Sequence, residues 1–142
     1  MLLSVKKITT NIIYDMGNIQ SNSKVNFEYM QSCIEVPNSQ IIINVLDSNL
    51  QHCLIYSTVQ AKDEEDIINK QIKFDKNKPI IVYGKNCCDE KLVKKHKQLI
   101  TYGFKNVKIY IGGLFEWLCL QDIYGKEQFK TSGDEIDILK YK

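Results

Sequence analysis

The sequence contains no arginine: all 19 of its basic residues are lysines. Phosphate-handling sites most often rely on the planar guanidinium fork, which grips two oxygens at once, whereas an ammonium supplies only a mobile point charge. Arginine-dependent phosphatase chemistry is thereby disfavoured. Charge imbalance is also missing, since 17 acidic residues leave a formal net charge of only +2, and no global field draws the chain to nucleic acid or an anionic membrane. Proline and glycine are sparse, at 2 and 7 residues, and there is no long low-complexity tract. No segment approaches the roughly 20 apolar residues that span a bilayer. The cysteines, Cys33, Cys53, Cys87, Cys88 and Cys119, are odd in number and form no C-x-x-C pair. That pattern suits reduced thiols in the cytoplasm better than a secreted disulfide framework. The apolar start, Met1 to Val5, precedes Lys6 and Lys7, the reverse of a signal peptide's order.

What is present is enough for one compact core. A chain of 142 residues with 44% apolar side chains can bury roughly 68–70% of its unfolded surface. Ser4–Ile8 predicts a short first strand, and Thr9 or Thr10 caps a short helix through Ile12, Ile13 and Met16 that ends at Gly17. Asn18–Lys24 reads as a polar connector. Phe27, Met30 and Ile34 give Asn26–Ile34 a buried helical stripe to which Cys33 belongs. The run QIIINVL (Gln40–Leu46) is nearly continuous and β-branched, as expected of a strand buried on both faces. His52–Val59 is the next strand. Ala61–Gln71 is a helix whose acidic tract, Asp63 to Asp66, sits at its positive end. Pro79–Tyr83 is the central strand, Glu90–Tyr102 a helix with Leu92, His96, Leu99 and Ile100 on one face, Asn106–Ile111 a last strand and Leu114–Tyr124 an apolar helix. Alternation at this spacing argues for a parallel-sheet α/β architecture with right-handed crossovers.

Function is sought in Lys78–Glu90, KPIIVYGKNCCDE, where a strand delivers a polar loop to a helix N-terminus. Strand ends open into a crevice there, and the first helical N–H groups lack partners. This stretch, followed by LITYGFKNV (Leu99–Val107) and GGLFEW (Gly112–Trp117), resembles the rhodanese-like domain, the sulfurtransferase fold shared with the Cdc25-type phosphatases. The likeness runs from about Val5 to Tyr124. It implies an α/β fold, a single rhodanese-like domain over 1–125 with a central, mostly parallel five-stranded sheet flanked by helices, and a C-terminal tail over 126–142, which forms a final turn or packs as an arm.

The resemblance also implies a cysteine at the first position of the loop, ringed by backbone N–H groups that, with the helix dipole, stabilise a thiolate and the outer sulfur of a persulfide. That position is Gly84, and the loop Gly84, Lys85, Asn86, Cys87, Cys88, Asp89 carries its thiols three and four places downstream. Asn44 and Leu46 stand where the family places Asp and Arg, and Lys94 stands where a Cys-x5-Arg pattern from Cys88 would need arginine. Glycine has no nucleophile. The expected function is therefore a rhodanese-like module inactive in ordinary persulfide transfer that acts in binding or regulation. The enzymatic alternative is a variant thiosulfate or persulfide sulfurtransferase using Cys87 or Cys88; a third reading is a structural interaction domain.

Each feature also has a plainer reading. Cys87 and Cys88 can be loop thiols without catalytic duty, because Asp89 and Glu90 oppose a thiolate. His96 suits packing on its helix as well as a general base, and His52 suits the surface. A zinc site joining His52 and Cys53 to the loop would lack recognisable ligand spacing. Lys91, Lys94, Lys95 and Lys97 form a solvated helix face. Phe115, Trp117, Leu118 and Leu120 belong to the core, with a partner surface implied if Trp117 or Tyr124 is exposed. No cofactor or metal is expected. The partners expected are a small sulfur-containing anion, bound by the loop amides, or another protein, and the chain is expected to be a monomer or weak dimer.

Overall fold

The computed structural model describes residues 23–142; the strand expected at Ser4–Ile8 and the helix expected through Met16 lie outside the described residues. In chain order the elements are strand β1 (Lys24–Val25), helix α1 (Phe27–Glu35), strands β2 (Ile41–Asn44) and β3 (Leu54–Ile55), helix α2 (Glu64–Phe74), strand β4 (Ile80–Tyr83), helix α3 (Glu90–Thr101), strand β5 (Val107–Tyr110), helix α4 (Gly113–Tyr124) and strand β6 (Thr131–Ser132). Short 3-10 turns lie at Ser48–Leu50 and Ile138–Tyr141.

Among the described residues the main sheet has four strands in the order β1-β5-β4-β2, all parallel. Every residue of IIIN and IIVY is buried, and the period of two divides them between two cores. Ile42, Ile81 and Tyr83 pack with Met30 of α1 and Trp117 of α4 on one face. Ile41, Ile43, Ile80 and Val82 pack with Ile68 of α2 and Leu92 and Leu99 of α3 on the other. This is the α/β sandwich expected from the apolar runs. Ile100, expected on the buried face of α3, is 47% exposed, and Val93 is buried instead.

The strand expected at His52–Val59 is a correction. His52–Val59 supplies only Leu54–Ile55, which pairs antiparallel with β6 in a separate two-stranded sheet. The chain then turns at Ser57, whose φ is 70°, with Thr58 N donating to Ile55 O at 3.1 Å. It meets the edge of β2 through one isolated bridge, Ile42 to Thr58. A second difference lies at Lys24, expected to end a connector, which with Val25 pairs with Ile109–Tyr110 as the outer strand.

Residues beyond Gly125 enter the core. Phe129 lies between Phe27 and Trp117, with ring centroids 5.7 and 5.1 Å away, and Trp117 Nε1 donates to Lys130 O at 3.1 Å. Tyr141 is fully buried. Among the described residues, no helix is long and apolar enough to cross a membrane.

Candidate functional site

Parallel pairing brings the C-terminal ends of β2, β4 and β5 to one edge of the sheet, where open α/β sheets hold their ligands. The loop Gly84–Asp89 leaves β4 there. Its backbone is clamped by the start of α4: Leu114 N donates to Gly84 O at 2.9 Å and Phe115 N to Lys85 O at 2.8 Å. The approach requires Gly113. Its φ is +67°, and a Cβ there would lie 2.8 Å from Gly84 O and 2.9 Å from Asn86 N.

Gly84 is buried, and the space its side chain would need is taken. A Cβ on it would stand 2.5 Å from Asp89 Oδ2 and 2.9 Å from Asp89 Cγ. Asp89 is the N-cap of α3. Its Oδ1 accepts from Lys91 N at 3.1 Å and its Oδ2 from Lys85 N at 3.1 Å, so one carboxylate bridges the helix start and the strand end. Asn86 Oδ1 accepts from Cys88 N at 2.9 Å, while Asn86 Nδ2 donates to Tyr141 O at 2.9 Å. The loop's own side chains thus hold the amides of residues 85, 88 and 91. Lys91 also pairs with Asp47, joining α3 to the exit of β2.

Cys87 and Cys88 are exposed with their sulfurs 3.7 Å apart. The contact with the Cys88 thiol pushes the Cys87 thiol above its ordinary value, and some desolvation and the negative charge of Glu116 add to this. Cys87 opens on a groove of about 650 Å3 whose walls include Val25, Phe27, Tyr110, Ile111, Phe115, Glu116 and Cys119. Tyr110 Oη donates to Glu116 Oε1 at 2.9 Å. Burial raises the Tyr110 hydroxyl, and the neighbouring Glu116 raises it further. Cys119 is raised by burial first, then by the charges of Asp122 and Glu116.

The other residues singled out from sequence lie elsewhere. Asn44, which stands where the resemblance places Asp, forms an amide network with Gln51: Asn44 Oδ1 accepts from Leu46 N at 3.0 Å and Gln51 Nε2 at 2.8 Å. His96 is half-buried and held low by desolvation, against a hydrogen bond to the backbone of Val107. Val107 begins β5 beside Ile80, so His96 lies at the opposite end of the sheet from the loop. Exposed His52 contacts Glu135, with Nε2 2.7 Å from Oε2, and buried Cys53 has Sγ 3.8 Å from Gly133 O. Among the described residues no three His, Cys, Asp or Glu side chains gather as a metal would require. Trp117 is fully buried, as core packing predicts, whereas Tyr124 is 61% exposed. Sequence reasoning missed Tyr110, Glu116 and Cys119 as neighbours of the loop. The available signal was the glycine pair at Gly112–Gly113, which starts α4 beside residue 84.

A strand-end loop, a helix beginning at its last residue and a glycine-led helix clamped over it extend through a domain whose residues 24–119 match the family model of the rhodanese-like domain. The chain belongs to the rhodanese-like domain family. Among solved structures, this rhodanese-like domain is similar to the Alr3790 protein from Anabaena sp., with a TM-score of 0.57 and 25% identity over 82% of this chain and 97% of that one. The solution structure of the rhodanese-like domain of the same Anabaena protein matches with a TM-score of 0.57 and 25% identity, over 79% of this chain and 80% of that one. The polysulfide-sulfur transferase homodimer from Wolinella succinogenes shares the fold, with a TM-score of 0.53 and 20% identity over 82% of each chain. No curated protein matches the chain at a significant level.

Proposed function

We propose that this rhodanese-like domain is inactive in ordinary persulfide transfer and serves as a binding or regulatory module. The observation that carries this reading is the pairing of Gly84 with Asp89. The strand-end position has no nucleophile, and a carboxylate occupies the volume that a side chain there would fill. That carboxylate also accepts from Lys85 N and places negative charge where an anionic sulfur donor would approach. A shared fold does not offset these features, since one scaffold hosts members with different chemistry or none.

Transfer from Cys87 or Cys88 is the enzymatic alternative. Against it stands the raised Cys87 thiol, which lowers the thiolate fraction at neutral pH, and the thiolate is the nucleophile. The deciding experiment is thiosulfate:cyanide sulfur transfer under reducing conditions by the parent protein and by a Cys87→Ser, Cys88→Ser double variant. Neither is expected to exceed the protein-free rate. Transfer by the parent that disappears in the folded double variant would replace this reading with a relocated catalytic thiol.

A further inference from the structure

The groove beside Cys87 is lined by Asn86 and Cys87 of the loop but not by Gly84. At about 650 Å3 it falls within the roughly 300–1,000 Å3 of small-molecule sites, which are mostly apolar with a few fixed polar groups. Phe27, Ile111, Phe115 and the sulfur of Cys119 provide apolar wall, and Glu116 is the one charged side chain among the described residues lining it. The carboxylate is not free to swing away, because the Tyr110 hydroxyl donates to its Oε1 at 2.9 Å. Its field reaches across the groove: it contributes to raising Tyr110, Cys87 and Cys119, which lie on different parts of the wall. Among the described residues no lysine or histidine lines the groove to offset it.

A fixed carboxylate on an apolar wall selects by charge: it repels anions and attracts cations whose remaining surface is apolar. We infer that this groove is a binding site for a small organic cation, a protonated amine carried on an apolar body, with Glu116 as its counter-charge and Phe27 and Phe115 against its carbon skeleton. The inference deepens the binding-module reading and rests on it.

The test is a titration of the full-length, isotope-labelled protein with hexylammonium, hexanol and hexanoate, followed by backbone amide shifts. Shifts are expected at Cys87, Phe115, Glu116 and Cys119, with hexylammonium binding about tenfold tighter than hexanoate and hexanol between them. Glu116→Gln, which keeps an acceptor for Tyr110, should bring the three affinities to within about threefold of one another, and Phe115→Ala should weaken all three alike. In the parent protein, added salt should weaken hexylammonium more than hexanol, a readout that needs no variant. Hexanoate binding as tightly as hexylammonium, a preference that survives Glu116→Gln, or the absence of shifts at the groove overturns the inference. Sulfur transfer measured on the same samples separates the two failures. Transfer together with an amine preference would remove the inactive reading alone, whereas no transfer and no preference would remove the groove inference alone.

Discussion

Asp89 ties the loop to the elements on both sides of it. It caps α3 through Lys91 N, ties down Lys85 N and fills the space beside Gly84. Loss of an N-cap costs typically about 1 kcal/mol, and an unsatisfied buried amide adds about 1–3 kcal/mol. Asp89→Ala is therefore expected to destabilise by about 2–4 kcal/mol in urea unfolding, with Asp89→Asn milder because it keeps one acceptor. Gly84→Ala forces a methyl onto the Asp89 carboxylate and belongs with overpacking, which costs about 1–3 kcal/mol. The two sites touch, so their effects should not add. The Gly84→Ala, Asp89→Ala double variant should be more stable than the sum of the singles by about 0.5 kcal/mol or more. Strict additivity in that cycle would mean that the carboxylate does not occupy the volume beside residue 84.

The loop owes its shape to elements on both sides of it, and the clamp from α4 is the most demanding. Gly113 combines a left-handed φ with backbone atoms of residues 84 and 86 within 2.9 Å of a would-be Cβ, and backbone cannot yield as a flexible side chain can. Gly113→Ala should cost the left-handed penalty of about 1–2 kcal/mol plus overpacking of about 1–3 kcal/mol. Gly125→Ala, with φ +100° but nothing within 4 Å, should show only the conformational part. Comparing the two urea midpoints checks this, and equal losses would mean that α4 does not press on the loop. These elements also mark what was legible in the sequence. IIIN and IIVY announced a doubly buried parallel sheet because every residue in them is apolar or small enough to bury, and Gly103 and Gly125 marked the two helix ends. The groove was not legible. Its walls come from Val25 and Phe27 at one end of the chain and Ile111 to Cys119 at the other, a juxtaposition created by the β1-β5 pairing that local periodicity does not encode. The strand expected at His52–Val59 was cut short for a related reason: its β-branched and aromatic character was real, but the turn at Ser57 and the partner at Thr131–Ser132 redirected it.

For the molecule as a whole, residues after Gly125 act as a brace. They pair with β3, insert Phe129 beside Trp117 and reach the loop through Asn86. Their polarity hid this role, because one buried aromatic at Phe129 and another at Tyr141 make no periodic pattern. The brace is held electrostatically at Glu135. Its Oε1 accepts from Asp137 N at 3.0 Å, and its Oε2 meets His52 Nε2 at 2.7 Å and Lys140 Nζ at 3.2 Å. The Asp137 amide, followed by His52 and Lys140, holds the carboxyl down at about 2, below its ordinary 4.5. A carboxylate depressed by folding contributes stability that is fully present above its unfolded pKa and is lost as pH falls through the folded value. Parent stability should therefore decline between about pH 4.5 and pH 2. Glu135→Gln removes the charge but keeps an oxygen for Asp137 N, so it should be less stable than the parent at pH 7 and lose less on acidification. Urea unfolding at pH 7, 4, 3 and 2 separates the outcomes: converging curves place the acid sensitivity at this contact, while curves that stay parallel would show that Glu135 does not fasten the brace. Because Tyr141 O receives the Asn86 amide, amide exchange at Cys88 should accelerate over the same acid range in the parent, after correction for intrinsic exchange, and less so in Glu135→Gln, linking the Glu135 carboxylate to the order of the candidate site.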